Sequence, residues 1–238
     1  VSSAVLLYDT ENIIIHDIQI SNKAEFKNIE AYSAPDKTDR TGVAAVAQNR
    51  GTVHSITLDN LYIHDVNGNV YNKHMNNGGI YMTCFTPADE EKTRYDGVTV
   101  NGCFVKNVSR WGIAVGYSYR HNDFSTKELS EETFKKYGNE NIKLTNNYVK
   151  FAGGDAITPM YALEPIVEHN MSDSCATEMN DRARLRRLFG RGSARMHCSN
   201  ITRLWTQNLI KTVWRMTQTR ATVLHMTVTT PVLMRAAV

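Results

Sequence analysis

The feature that most limits what this chain can become is a short motif that returns four times. Residues 141–155 read Asn-Ile-Lys-Leu-Thr-Asn-Asn-Tyr-Val-Lys-Phe-Ala-Gly-Gly-Asp. Ile142 and Leu144 alternate with polar residues, Asn146 and Asn147 interrupt, and Tyr148 and Val149 resume the apolar run. Asn tolerates left-handed backbone angles, whereas Ile, Val and Tyr favour strands, so the segment predicts two strands around an Asn corner. Residues 55–66 and 97–108 have the same shape, and 12–20 is a looser copy. A second element, a glycine leading a short apolar strand, occurs at 42–46, 79–82 and 112–115, with 154–157 as a variant. One glycine-led strand and two strands around an Asn corner make one turn of a three-sided coil. Stacked coils bury the inward side chains of neighbouring turns in shared columns. The expected fold is an all-β solenoid.

Repeats of this kind, over residues 5–178, resemble right-handed parallel β-helix proteins of the pectin-lyase-like superfamily. The resemblance implies a truncated parallel β-helix domain over residues 1–180, with 181–238 as an irregular or disordered tail. It also implies a carbohydrate-active protein acting outside the cell. The start, Val-Ser-Ser-Ala-Val-Leu-Leu-Tyr, has neither the basic segment nor the cleavage pattern of a secretory signal. It already reads as a strand with no cap before it, so residue 1 is expected to be an internal start with upstream sequence missing. No apolar run approaches the length of a membrane span. The four cysteines, Cys84, Cys103, Cys175 and Cys198, form no C-x-x-C pair. Cys84 and Cys103 are expected to be small core residues and not zinc ligands. Three polar inserts interrupt the coil, at 34–41, 86–96 and 119–140, and residues 130–137 within the last predict a short capped helix. Such loops either line a binding face or merely connect strands.

Charge divides the chain. All 24 Asp and Glu occur by Asp181, with 16 of the 27 Lys and Arg, a balance of −8; from Arg182 onward, ten Arg and one Lys without a single carboxylate give +11. A basic tail usually suggests a nucleic-acid or acidic-surface partner. Here ten of the eleven Lys and Arg are Arg, the tail has no periodic pattern, and it begins where the repeat stops. A shifted reading frame accounts for it better. Codons allowed for residues 210–223, read one nucleotide earlier, permit Asp-Gln-Asp-Gly-Met-Ala-Tyr-Asp-Ala-Asp-Ser-Gly-Asp-Gly. Those for 196–202 permit Asp-Ala-Leu-Phe-Gln-Tyr-Asn, another strand and Asn corner. The acidic stretch resembles the active-site rungs of β-helix glycoside hydrolases, in which one carboxyl protonates the leaving oxygen while another acts as base or nucleophile. This chain is therefore expected to be a catalytically inactive fragment of a secreted glycan-cleaving enzyme. A hydrolase is favoured over a lyase, because no Asp cluster has the spacing of a calcium loop. A non-catalytic carbohydrate-binding or adhesin-type solenoid is the alternative.

Within the in-frame part, Asp155 at a Gly-Gly-Asp corner resembles part of the Gly-Asp-Asp corner of polygalacturonases, although the second Asp is Ala156 here. Asp155 and Asp173 are the candidate catalytic carboxylates, with Glu178 nearby. Their bland alternatives are a turn cap and a solvated loop charge. Sugar binding needs aromatic faces for pyranose rings and polar groups for hydroxyls. The candidates are His74, Tyr81, Arg110, Trp111, Tyr117, Arg120 and Tyr161, with Tyr119 and His121 close by in sequence. Alternation allows Tyr81 and Tyr117 to share an outward face. Stacked aromatics also fill solenoid cores, so each Tyr alone reads as packing and only the cluster reads as a binding face. Arg110 and Arg120 suit an acidic sugar. The expected partner is carbohydrate, with no cofactor, metal, nucleic acid or membrane, and an intact solenoid is expected to be monomeric.

Overall fold

The computed structural model describes residues 2–23, 39–68, 77–89, 92–120 and 131–175, with three short strands further on. Strands come in threes. The first coil is β1 (Ser2–Tyr8), β2 (Ile13–His16) and β3 (Gln19–Asn22); the second is β4 (Arg40–Ala47), β5 (Thr52–Asp59) and β6 (Tyr62–Val66). The third is β7 (Gly78–Cys84), β8 (Arg94–Asn101) and β9 (Phe104–Val108). The fourth is β10 (Trp111–Ser118), β11 (Glu140–Thr145) and β12 (Tyr148–Ala152), with helix α1 (Glu131–Tyr137) inserted after β10. The fifth is β13 (Ile157–Pro159), β14 (Leu163–Glu168) and β15 (Met171–Asp173). Each coil gives one strand to each of three sheets, and all pairing between coils is parallel. The parallel β-helix expected from the repeats is the architecture found. Beyond residue 180, β16 (Arg195–His197) extends the second sheet and β17 (Thr202–Trp205) the third, both parallel, and β18 (Thr212–Trp214) pairs antiparallel with β17.

Register builds the core. Val5, Val43, Ile80, Ile113 and Ile157 stand in line across the first sheet. Ile15, Leu58, Val100, Leu144 and Val167 do so across the second, and Ile20, Ile63, Val105, Val149 and Ser172 across the third. Apart from partly buried Val5 and Ile15, these aliphatic residues are buried, each stabilising by about 1.5–3 kcal/mol. Cys84, Cys103 and Cys175 belong to the same core; burial pushes the Cys103 and Cys175 thiols up to about 11, as expected of inert packing groups. Cys198 lies outside the described residues.

Two corners explain the repeat. Between the second and third sheets, Asp17, Asn60, Gly102, Asn146 and His169 occupy the left-handed region, with φ of 55°, 50°, 62°, 58° and 54°. The next residue points inward, and there the second Asn of the pair has a separate task. Asn147 Nδ2 donates to the Val100 carbonyl (2.9 Å) while its Oδ1 accepts from Cys103 N–H (3.0 Å); Asn170 repeats this one coil on, donating to Leu144 O (2.7 Å) and accepting from Asn147 N–H (2.9 Å). At the start of the first sheet, Gly42, Gly79 and Gly112 line up, with Ala156 next, because the third sheet passes close behind them. The three inserts end earlier than expected: Arg40 already belongs to β4, Arg94 to β8 and Glu140 to β11. The predicted helix is present at Glu131–Tyr137; its expected cap, Ser130, lies outside the described residues.

A second left-handed column runs through the third sheet at Asp65, Asn107, Phe151 and Ser174. Phe151 is the misfit, because a bulky side chain at φ 56° carries a cost that Asn or Asp avoids. Phe151→Asn is expected to stabilise the chain by about 1 kcal/mol, read as a higher urea midpoint. An unchanged or lower midpoint would mean that the Lys150 ammonium over the ring, 5.0 Å from its centroid, matters more than the strain.

Candidate functional site

The outer face of the first sheet gathers most of the sequence candidates. Leu6, Ala44, Tyr81, Ala114 and Thr158 are in register across β1, β4, β7, β10 and β13 on the side opposite the core column. The flanking alanines leave room for the Tyr81 ring, which lies 6.2 Å from Trp111 at 46°. Met160 packs into the same cluster, with Tyr117 and Tyr161 against it. Those two rings meet edge-on at 6.1 Å. Arg110, 4 % exposed, sets its guanidinium 5.6 Å from the Trp111 ring centroid.

This face is apolar in body and polar at its tips. Among the described residues, the Tyr81 hydroxyl, the Trp111 indole N–H and the Thr158 hydroxyl are buried and meet no hydrogen-bond partner. Each such group costs about 1–3 kcal/mol until something pairs with it. Burial lifts the Tyr81 phenol well above the ordinary tyrosine range; Tyr117 and Tyr161 add to the rise, Arg110 opposes it, and Asp39 adds to it. Burial, then Tyr117, pushes Tyr161 up to about 12. The phenols are therefore neutral donors near pH 7, suited to hydroxyl and carbonyl oxygens.

Asp155 sits at the corner where the third sheet passes into the first, 9 % exposed. Its main-chain carbonyl accepts the Gly112 N–H at 2.9 Å, and the preceding Gly154 N–H donates to the Arg110 carbonyl at 2.6 Å. The corner thus rests directly on the Arg110–Trp111 segment. Asp173 is placed elsewhere. At the end of β15 it faces Lys150 Nζ at 3.0 Å and accepts from the Tyr148 hydroxyl (3.3 Å) and Ser174 Oγ (2.9 Å). Burial raises this carboxyl, but bonds from Lys150 and Ser174 outweigh it and hold the group below its ordinary value. Arg120 is also separate, at a depression beside α1. His74, His121 and Glu178 lie outside the described residues. Asp39 and Met160 carry no signal in the sequence, whereas Thr158 is legible in principle, since it falls in register with Tyr81. Among the described residues, no group of three or more His, Cys, Asp or Glu gathers as a metal site.

No family model matches the chain. A crystal structure of the GH136 lacto-N-biosidase from Eubacterium ramulus aligns with a TM-score of 0.73 at 52% identity, covering 84% of this chain and 34% of that one. The chain is similar to part of a lacto-N-biosidase. The crystal structure of the native protein, the first being its selenomethionine derivative, gives a TM-score of 0.72 at 50% identity over 83% of this chain and 34% of its own. The lacto-N-biosidase of Bifidobacterium longum subsp. longum is 40% identical over 211 residues, covering 76% of this chain and 13% of that enzyme. This chain spans about a third of the solved lacto-N-biosidase and a smaller share of the curated one.

Proposed function

We propose that this chain is a stretch of a secreted glycoside hydrolase acting on oligosaccharides, of the lacto-N-biosidase kind and within the wider pectin-lyase-like group. As it stands it is without activity, because its catalytic rung is encoded in another frame. The observation that carries the sugar reading is the outer face of the first sheet, where Tyr81, Trp111 and Thr158 hold buried donors open beside Arg110, Tyr117 and Tyr161. Aromatic faces suit the apolar side of a pyranose, and unpaired donors suit its hydroxyls. Of the two candidate carboxylates, Asp155 adjoins this face and would orient a bound sugar. Asp173, ion-paired to Lys150 in the third sheet, would not take part.

The register of β17 supports the frame reading. Met171 pairs with Arg203, so Thr202 stands opposite Asn170, the last described rung of the asparagine ladder. Read one nucleotide earlier, that codon permits Asn, the residue the ladder needs to continue. The same frame then permits a glycine-led Gly-Met-Ala-Tyr strand flanked by aspartates. Carboxylates there would supply the acid and the base or nucleophile of glycoside hydrolysis.

The encoding DNA comes first: stop codons in the earlier frame would overturn the frame reading. The restored-frame protein, carrying its flanking sequence, is then assayed beside the 238-residue chain on a panel of oligosaccharides that includes lacto-N-biose-terminated ones. Product release by the restored protein alone, at least about 10³-fold above background, is the expected result. Hydrolysis by the 238-residue chain would refute its inactivity. A folded restored protein that binds glycans without cleaving them would replace the enzyme with the carbohydrate-binding alternative.

A further inference from the structure

Each strand of the first sheet places one residue in the outward row that contains Tyr81, and in β13 that residue is Thr158. Ala114 lies between the two, so a small side chain separates two that carry hydroxyls. Thr158 is 2 % exposed, and among the described residues its hydroxyl meets no partner. Its own strand offers none: Pro159 has no N–H, and the Met160 N–H goes to the Val115 carbonyl at 2.8 Å. Branching at Cβ restricts χ1, which fixes the direction of the hydroxyl within narrow limits. Val has the same outline, also favours strands, and would leave no hydroxyl to desolvate. The Thr158 hydroxyl therefore weakens the chain by itself, and its partner is to be sought outside the chain.

The surroundings indicate the chemistry of that partner. The Tyr81 hydroxyl and the Trp111 indole N–H are in the same state as Thr158, and their rings lie 6.2 Å apart. The indole only donates, whereas both hydroxyls donate and accept. Tyr117 and Tyr161 pack against this cluster and are only half-buried, so it reaches solvent on their side. A sugar hydroxyl also donates and accepts, and so matches a hydroxyl on the protein. We infer that Thr158 determines specificity at the glycan site, an inference that rests on the reading of this face as one that binds sugar. Its Oγ exchanges a hydrogen bond with one hydroxyl of the bound sugar, and a sugar lacking that hydroxyl is rejected. Rejection is effective because the wrong sugar leaves a buried hydroxyl unpaired, which costs more than losing a contact on a wet surface.

The test compares the full chain with Thr158→Val and Thr158→Ser by two readouts. In urea denaturation without ligand, Thr158→Val should have a midpoint at or above that of the parent. Thr158→Ser keeps the hydroxyl, loses the methyl, and should fall below it. In calorimetry with lacto-N-biose as the probe, Thr158→Val should bind about tenfold more weakly, and Thr158→Ser close to the parent. Monodeoxy forms of the disaccharide, each lacking one hydroxyl, then identify the group that is read. One of them should bind the parent about tenfold more weakly, and Thr158→Val should bind that analogue no worse than the intact disaccharide. A threonine of structural use alone would give Thr158→Val a lower midpoint and no such coupling. A valine variant that binds as tightly as the parent, or losses that are the same for every analogue in both proteins, would overturn the inference and leave sugar binding by this face in place. Failure of the parent to bind lacto-N-biose would remove the sugar reading of the face and this inference with it.

Discussion

Gly79→Ala is expected to lower stability by roughly 3 kcal/mol, enough to remove a large part of the stability of a domain this size. A Cβ at Gly79 would lie 2.5 Å from Val105 Cγ1 and 2.6 Å from the Gly112 carbonyl oxygen. Val105 is fully buried and β-branched, with little freedom to turn aside. The carbonyl belongs to the next strand of the first sheet, so it cannot retreat without prising apart two coils. Gly102→Asn is the matched control. Gly102 has φ 62°, but a Cβ there would have nothing nearer than 3.8 Å, and Asn already holds the equivalent corner at Asn60 and Asn146. It should be neutral or slightly stabilising. Urea denaturation of both variants separates close approach from backbone angle as the reason for the glycines. Equal loss in the two would sink the argument.

That contrast also explains how much of the fold was legible. The alternation around Asn corners was readable because every coil repeats the same inward residue. Ile56, Val98 and Ile142 announce one column by themselves. The glycine-led strands were readable as landmarks, yet their cause was not, since the clash that excludes a side chain at Gly79 comes from Val105 in another sheet. In the sequence the double Asn reads as one corner. Only hydrogen-bond geometry separates Asn146, which takes the left-handed turn, from Asn147, which satisfies backbone groups inside the coil. Left-handed Phe151 and Glu164 gave no signal at all, because neither residue type advertises that backbone region.

The candidate site was legible in part for the same reason. Tyr81 and Ala114 occupy the same register position, so the outward face of the first sheet followed from period-two alternation. Arg110 and Trp111 reach it by preceding β10 and by opening it. The bulge between Val115 and Tyr117, with Gly116 at φ 91°, shifts the register beyond it and was not visible in the sequence. The sequence places Asp155 at a strand corner and Asp173 on the next turn, and shows nothing of what surrounds either. Their difference lies in neighbours far apart in the chain: Arg110 and Gly112 beside one, Lys150 and Tyr148 beside the other.

Asn139 carries the second large effect, and it sits in a stretch that reads only as polar insert. Its side chain donates from Nδ2 to the carbonyls of Gly116 (2.9 Å) and Met160 (3.0 Å), and accepts at Oδ1 from the Tyr95 N–H at 2.9 Å. One buried amide therefore ties the third, fourth and fifth coils where the insert carrying α1 rejoins the solenoid. Asn139→Leu leaves a buried N–H and two carbonyls with one partner fewer. The expected loss is about 3–5 kcal/mol. Asn139→Asp separates hydrogen bonding from packing. It preserves shape and one acceptor, but an uncompensated carboxylate in this place is disfavoured, so burial raises its folded-state pKa above the unfolded value. A raised carboxyl contributes its stability below the unfolded pKa and loses it as pH rises towards the folded one. The penalty of Asn139→Asp relative to the unmutated chain should therefore grow from pH 4 to pH 8, while that of Asn139→Leu stays level. Urea denaturation across this range checks both. A Leu variant within about 1 kcal/mol of the parent, or an Asp penalty flat with pH, would mean that the coils are held at this junction by packing alone.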